Sequence, residues 1–121
     1  MPKKILIVED NEQNRILVRM IIKSLNYEVI EAENGEQGVQ MAKGQKPDLI
    51  LMDLQMPVMD GYAAIKILKN DPETKYIKII AVTSYAMKSD RDKAMAAGTD
   101  DYIAKPIDLD ELSGMISKYL A

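Results

Sequence analysis

Short apolar runs alternate with stretches of helical periodicity along the whole chain of 121 residues. Residues 5–8, 49–52 and 79–82 are continuously apolar. Unbroken apolar runs of this length are typical of strands whose two faces are both covered. Two further strands are predicted at residues 28–32 and 101–104, so the pattern predicts five strands in all.

A helix is predicted after each of these strands. The helices cover residues 11–25, 36–43, 62–70, about 87–97, and a last segment that begins near Asp108. Asn11 and Asp108 are suitable N-cap residues, and Gly44 is expected to end the second helix. The helical spacing of the last segment predicts a buried stripe made of Leu109, Leu112, Ile116, Tyr119 and Leu120.

Strict alternation of strand and helix indicates an α/β fold with right-handed crossovers. We therefore predict a flavodoxin-like, doubly wound parallel sheet with five strands in the order 2-1-3-4-5 and five helices. A closed eight-fold barrel is excluded because it needs about twice this length. Residues 1–121 are expected to form one domain, since the sequence shows no linker and no internal repeat.

The composition excludes several kinds of catalytic site, metal site and partner. The chain contains no histidine and no cysteine, which excludes Ser-His-Asp triads, thiolate nucleophiles and the usual zinc sites. Its net charge of −3 argues against nucleic-acid binding through a basic surface. No apolar run exceeds four residues, so no membrane segment is expected, and the cytoplasm is the expected location.

The sheet order predicts where polar side chains converge. Sites in open parallel sheets form at the carboxyl ends of the strands, where the strand order reverses. Here that point lies between the first and third strands, which end at Glu9-Asp10 and at Asp53. Thr83 follows the fourth strand and Lys105 the fifth. We expect these five side chains to share one crevice.

Three clustered carboxylates repel one another and favour a hard divalent cation between them. Mg²⁺ is the expected ion, and Mn²⁺ is the alternative. A metal ion, a reactive acid, a hydroxyl and an ammonium form a set that suits phosphoryl transfer. Each residue alone also has a plainer explanation, because acids at a helix N-terminus, a strand-end threonine and a Lys-Pro turn are all common.

Four segments together identify a resemblance: KILIVEDN, PDLILMDLQMPVMDGY, IIAVTSYAMKSD and AGTDDYIAKPID. They resemble the receiver domain of two-component response regulators, and the resemblance spans essentially the whole chain. Single-domain regulators of the DivK type, and receivers detached from hybrid kinases, are the most similar in organisation. The resemblance implies a protein that is a signalling switch and not a turnover enzyme.

The resemblance also assigns roles at the metal site. Asp53 occupies the position that is phosphorylated in the family. Asp10 and Asp53 would bind Mg²⁺ directly, Glu9 would act through water, and the Gln55 backbone carbonyl would be a further ligand. Glu9 stands where the family more often has Asp.

Further roles implied by the resemblance concern the switch. The Thr83 hydroxyl and the Lys105 ammonium would contact the phosphoryl group, and Lys105-Pro106 matches a cis peptide bond of the family. Tyr102 matches the aromatic switch position. The output surface would be formed by the fourth helix, fifth strand and fifth helix.

The partners follow from the same resemblance. Because the chain has no histidine, the donor would be a phosphohistidine of another protein, either a histidine kinase or a histidine phosphotransfer protein. A downstream protein target is also expected. Two hypotheses go beyond the resemblance: Ile16 and Met20 dock the donor, and Tyr85 slows hydrolysis of the phosphorylated aspartate.

Two other functions compete with this interpretation. In one, the chain passes its phosphoryl group on as a phosphorelay intermediate. In the other, it is a flavodoxin-like binding module without a signalling role, although acids at the mouth of the crevice would repel a flavin phosphate. An aspartyl-phosphate hydrolase and a pseudo-receiver used only for binding are the less favoured alternatives.

Overall fold

Strands and helices alternate through residues 3–56, 59–84 and 88–120, the part of the chain that the computed structural model describes. The strands in these ranges are β1 (Lys4–Val8), β2 (Glu28–Ala32), β3 (Leu49–Asp53), β4 (Lys78–Thr83) and β5 (Asp101–Ala104). The helices are α1 (Glu12–Ser24), α2 (Gly35–Gln45), α3 (Gly61–Lys69), α4 (Lys88–Ala97) and α5 (Leu109–Leu120). In these ranges no helix is long and apolar enough to cross a bilayer.

The strands form one parallel sheet in the order β2-β1-β3-β4-β5, so the predicted fold and order are confirmed. Val8 of β1 lies opposite Met52 of β3. Asp53, the last residue of β3, lies opposite Val82 of β4. This register aligns the carboxyl ends of β1, β3 and β4 at one edge, where the loops that follow them meet.

Both faces of the sheet are covered, which explains the continuous apolar runs. Ile5 and Ile7 of β1 pack on one face with buried residues of α1 and α5. Leu6 and Val8 pack on the other face with buried residues of α2, α3 and α4. Because successive side chains point to opposite faces, every position of β1, β3 and β4 is buried except the lysine that begins β1 and the lysine that begins β4.

The structure corrects one detail of the predicted helices and refines another. Leu109 is predicted to be buried but is 51% exposed. It lies in the first turn of α5, and the buried stripe of this helix begins only at Leu112. The end predicted near Gly44 is correct to within one residue, since α2 continues to Gln45, but the glycine is not the residue that caps it. It ends at Lys46, which adopts a left-handed conformation with φ of 48° and donates its N–H to the Ala42 carbonyl.

The N-caps are satisfied as the sequence predicts. Asn11 Oδ1 accepts the Asn14 N–H at 2.9 Å, and Asp108 Oδ1 accepts the Glu111 N–H at 2.9 Å. Each cap satisfies one of the backbone donors that a helix leaves unpaired in its first turn. The caps therefore fix where α1 and α5 begin, close to the carboxyl edge of the sheet.

Candidate functional site

The predicted acids do come together at the carboxyl edge of the sheet. Glu9 directly follows β1, and Asp53 ends β3 beside it. Glu9 is 5% exposed and Asp53 1% exposed, whereas Asp10 faces solvent. One carboxylate oxygen from each of the three lies within 4.8 Å of the others. Two of the three negative groups are therefore buried next to each other.

Lys105 brings the positive charge to this cluster from the loop after β5. Its Nζ lies 3.2 Å from Glu9 Oε1, 3.1 Å from Glu9 Oε2 and 3.2 Å from Asp53 Oδ2. The ammonium is thus shared between two carboxylates. The predicted cis peptide bond between Lys105 and Pro106 is present.

Burial and the neighbouring charges shift the acid–base properties of the pair. The pKa of Asp53 is raised to about 7, first by burial and then by a side-chain hydrogen bond to Glu9 and the charge of Glu9, although the Gln55 N–H and Lys105 oppose the shift. Burial alone would lower the pKa of Lys105, but the carboxylates of Asp53 and Glu9 outweigh it and raise that pKa. Asp53 is therefore easily protonated in the metal-free protein, and Lys105 stays charged.

The first turn of α1 holds Glu9 in place. Asn14 Nδ2 donates to Glu9 Oε1 at 3.1 Å, and Arg15 Nη1 donates to the Glu9 carbonyl at 2.8 Å. Arg15 is in turn held by two acids, with Nε 3.6 Å from Glu31 Oε1 and Nη2 3.7 Å from Glu33 Oε1. The sequence pattern does not single out Asn14 or Arg15, and the signal available is that both are polar and lie in the first turn of the helix that follows β1.

Gln55 links the end of β3 to the end of β4. Its N–H donates to Asp53 Oδ1 at 3.0 Å. Its side-chain Nε2 donates to Thr83 Oγ1 at 3.0 Å, and its Oε1 accepts the Ser84 N–H at 3.0 Å and lies 3.2 Å from Thr83 Oγ1. The family resemblance assigns only the backbone carbonyl of Gln55, so the contacts of its side chain are a finding of the structure.

Gly61 allows the loop before α3 to approach Asp53 closely. A Cβ at this position would lie 2.3 Å from the Asp53 carbonyl oxygen and 2.7 Å from the Leu54 Cα. Only glycine permits this approach of two backbone segments. The glycine of the motif MDGY therefore brings the start of α3 against the strand that carries Asp53.

The residues predicted to act in the switch lie on the adjacent strands β4 and β5. Thr83 is fully buried at the end of β4, and Tyr102 is half-buried in β5. Burial raises the pKa of Tyr102, and the charge of Asp90 on α4 adds to the rise, while Arg91 opposes it. Tyr102 thus connects β5 to the face of α4. Tyr85 lies outside the described residues.

An exposed apolar surface on α1, formed by Ile16, Leu17 and Met20, lies next to the site. The three side chains are 37%, 44% and 64% exposed. Leu17 also lines a shallow groove together with Lys105, and Pro106 is a further wall of that groove. Leu17 therefore brings one side of this exposed surface beside Lys105.

The donor set fits a magnesium ion. Ligands on an octahedron with metal–oxygen distances of about 2.1 Å lie roughly 3 to 4.2 Å from one another. Oxygens of Glu9, Asp10 and Asp53 within 4.8 Å of each other need only small adjustments to reach that spacing. All three groups that could bind the ion, directly or through water, are carboxylates, which Mg²⁺ prefers. A bound dication would also lower the repulsion that raises the pKa of Asp53.

Comparisons with known proteins agree with this geometry. The family model of the response regulator receiver domain matches residues 5–117. The polar-differentiation response regulator DivK of Brucella anthropi is 43% identical over 120 residues, which cover 99% of this chain and 98% of DivK.

Solved structures are similar over the same extent. The receiver domain of the sensor histidine kinase PA1611 from Pseudomonas aeruginosa PAO1, which has a magnesium ion coordinated in its active-site cleft, is 36% identical with a TM-score of 0.91 and 98% of each chain covered. The receiver domain of the response regulator Ssk1 from Saccharomyces cerevisiae, solved with the histidine phosphotransfer protein Ypd1, represents a second similar structure. That match is 30% identical, has a TM-score of 0.92, and covers 98% of this chain and 88% of the other.

Proposed function

The chain belongs to the family of response regulator receiver domains of two-component systems, and from this premise we propose that Asp53 accepts a phosphoryl group from a phosphohistidine of a partner protein. The partner is a histidine kinase or a histidine phosphotransfer protein, because this chain has no histidine of its own. Receiver domains are signalling regulators and not turnover enzymes, so the phosphorylated protein is the signal.

One observation carries the proposal: Asp53 is buried beside two further acids and an ammonium. Its Oδ2 is 3.2 Å from Lys105 Nζ, and carboxylate oxygens of Glu9 and Asp10 lie within 4.8 Å. A structural acid at a strand end has no need of this arrangement, since burying two carboxylates together is unfavourable. Phosphoryl transfer, in contrast, requires charge neutralisation around a fixed acceptor.

In the proposed reaction, a carboxylate oxygen of Asp53 attacks phosphorus in line with the histidine nitrogen. An O–P bond forms and the P–N bond breaks, with its electron pair left on the imidazole nitrogen of the donor. Lys105 stabilises the negative charge on the transferred oxygens. The product is an acyl phosphate, whose hydrolysis by water returns Asp53 and releases inorganic phosphate.

A divalent cation completes the site. Asp10 and Asp53 would hold Mg²⁺ directly, the Gln55 backbone carbonyl would be a further ligand, and Glu9 would bind through water; Mn²⁺ is the alternative ion. When bound, the ion neutralises charge on the phosphoryl oxygens and on the carboxylates. Asn14 keeps Glu9 oriented toward the cluster through its hydrogen bond of 3.1 Å.

The new charge of about −1.5 to −2 on Asp53 would then change the positions of side chains on β4 and β5. Thr83 ends the strand beside Asp53 and has a hydroxyl that can donate to a phosphoryl oxygen. Its inward movement would leave space for Tyr102 to rotate. The result is a two-state change of the surface formed by α4, β5 and α5, which binds the downstream target.

Phosphate uptake from acetyl phosphate tests the assignment of Asp53. We expect the purified protein with Mg²⁺ to gain the mass of one phosphoryl group, and Asp53→Asn to gain none, because the amide is not a nucleophile. Asp92→Asn changes an exposed acid on α4 in the same way and is the matched control, so it should be phosphorylated like the parent protein. Incorporation into Asp53→Asn at the parent rate would contradict the proposal.

A further inference from the structure

The side-chain oxygen of Gln55 is the acceptor for two hydrogen-bond donors at the end of β4, the Thr83 hydroxyl and the Ser84 N–H. Its Oε1 accepts the Ser84 N–H at 3.0 Å and lies 3.2 Å from the Thr83 hydroxyl. Both donors lie just beyond the residue of β4 that pairs with Asp53, which is Val82. A phosphoryl group on Asp53 would add three acceptor oxygens in the same region.

We propose that the amide oxygen of Gln55 takes the place of a phosphoryl oxygen in the unphosphorylated protein. Gln55 is then a positioning residue that holds Thr83 and Ser84 in their resting arrangement, and phosphorylation must displace its side chain. This inference rests on the proposed phosphorylation of Asp53. The role is distinct from that of the Gln55 backbone carbonyl, which a substitution of the side chain leaves in place.

The connection of Gln55 to Asp53 makes this competition direct. The Gln55 N–H donates to Asp53 Oδ1 at 3.0 Å, so the backbone that carries the amide is already fixed against the acceptor carboxylate. Its side chain reaches from this fixed point to β4, with Nε2 donating to Thr83 Oγ1 at 3.0 Å. The Ser84 N–H can make one strong hydrogen bond. A phosphoryl oxygen that accepts it would therefore compete with Gln55 Oε1 for the same donor.

Affinity for beryllofluoride measures the competition without covalent chemistry. This anion binds a carboxylate oxygen with the tetrahedral shape of a phosphoryl group. We expect Gln55→Ala and Gln55→Asn to bind it about three- to tenfold more tightly than the parent. In these variants the anion does not have to break the neutral hydrogen bond between the Ser84 N–H and Gln55 Oε1. The asparagine keeps the amide but is too short to make the same bridge. Fluorine NMR titration at saturating Mg²⁺ gives the affinities.

Gln40→Ala is the matched control. Gln40 is exposed on α2, and its removal should leave the beryllofluoride affinity unchanged. Amide hydrogen exchange of the metal-free protein tests the starting geometry, because the Ser84 N–H should exchange faster in Gln55→Ala than in the parent. Equal exchange of Ser84 in the two proteins would overturn the inference.

The titration separates this inference from the proposed function. If the parent binds beryllofluoride and Asp53→Asn does not, the phosphoacceptor site is supported whatever Gln55 does. Unchanged or weaker binding by Gln55→Ala would then overturn the role of the side chain alone, since it would show that the amide assists the anion or is indifferent to it. Failure of the parent protein to bind the anion would overturn both proposals.

Discussion

At the scale of single residues, Glu9 carries the largest share of the polar contacts in the acid cluster. Its two oxygens lie 3.2 and 3.1 Å from Lys105 Nζ, and one of them also accepts from Asn14 at 3.1 Å. The family more often has aspartate here, and the additional methylene of glutamate extends the carboxylate further across the strand ends. In the metal-free protein Lys105 therefore divides its charge between Glu9 and Asp53.

The raised pKa of Asp53 predicts how stability depends on pH when no metal is bound. Its pKa rises from 3.8 to about 7 on folding, so the folded protein binds the proton more tightly than the unfolded chain. The free energy of unfolding should therefore fall as pH rises from about 4 to about 7 and level off above that window. A shift of this size corresponds to at most about 4 kcal/mol.

Asp53→Asn isolates this effect, because the variant lacks the titrating carboxyl. We expect its stability relative to the parent to increase across the window by about 2 kcal/mol, which is below the upper bound because Asp53 titrates among other interacting charges. Urea unfolding in the presence of a chelator, at steps from pH 4.5 to pH 8, gives the difference between the two proteins. A difference that does not change with pH would show that Asp53 is ionised normally.

At the scale of secondary structure, α1 has two apolar faces. Val18, Ile21 and Ile22 are buried against the sheet, whereas Ile16 and Met20 are exposed. Exposed apolar residues that adjoin a polar site are typical of a docking surface. Leu17, which adjoins both residues on α1, lines a groove together with Lys105, the lysine that contacts the acid cluster.

Docking of the phosphodonor on α1 predicts a selective kinetic defect. Ile16→Ser with Met20→Ser should slow phosphotransfer from the cognate kinase by about tenfold or more, because each buried apolar side chain at an interface contributes about 1 kcal/mol. Uptake from acetyl phosphate should not change, since that small donor needs no docking. The kinase is identified by profiling the histidine kinases of the source organism.

The control for this experiment makes the same chemical changes elsewhere. Ile67 on α3 and Met95 on α4 are also exposed, and both lie on helices of the opposite face of the sheet. The double variant Ile67→Ser, Met95→Ser should transfer at the parent rate. Equal rates for both double variants would show that the apolar surface of α1 is tolerated without a role in docking.

At the scale of the whole molecule, metal binding should stabilise the fold. Because Glu9, Asp10 and Asp53 come from two strand ends that are far apart in sequence, the complete ligand set exists only in the folded protein. With a dissociation constant of about 1 mM, 10 mM Mg²⁺ would add about 1.4 kcal/mol to the free energy of unfolding. For a domain of this size the melting temperature would rise by about 4 to 8 °C.

Thermal unfolding with and without Mg²⁺, at matched ionic strength, measures this shift. Asp10→Asn should reduce it strongly, because that variant loses a ligand while the buried acids remain. Asp110→Asn, which changes an exposed acid in the first turn of α5, should keep the full shift. A melting temperature that is the same with and without Mg²⁺ would argue against a metal site.

The sequence by itself determined the elements and their order. The apolar runs and helical periodicities identify each strand and helix within a few residues, and the signal is clearest in β1, β3 and β4, where burial on both faces produces a continuous apolar run. Polar residues at the strand ends indicate the site, because the carboxyl ends of parallel strands meet at one edge of the sheet. Their roles come from the family resemblance, since Thr83 or Tyr102 taken alone has no distinctive pattern.

Only the tertiary structure decided the contacts between distant segments. The bridge from Gln55 to Thr83 and Ser84, the support of Glu9 by Asn14, and the exposure of Leu109 depend on how loops and helix ends pack. Local sequence records which face of an element is buried, but it does not record which side chain of another segment comes within hydrogen-bond distance. Such contacts are fixed by the register of the sheet and the paths of the loops, and these exist only once the chain has folded.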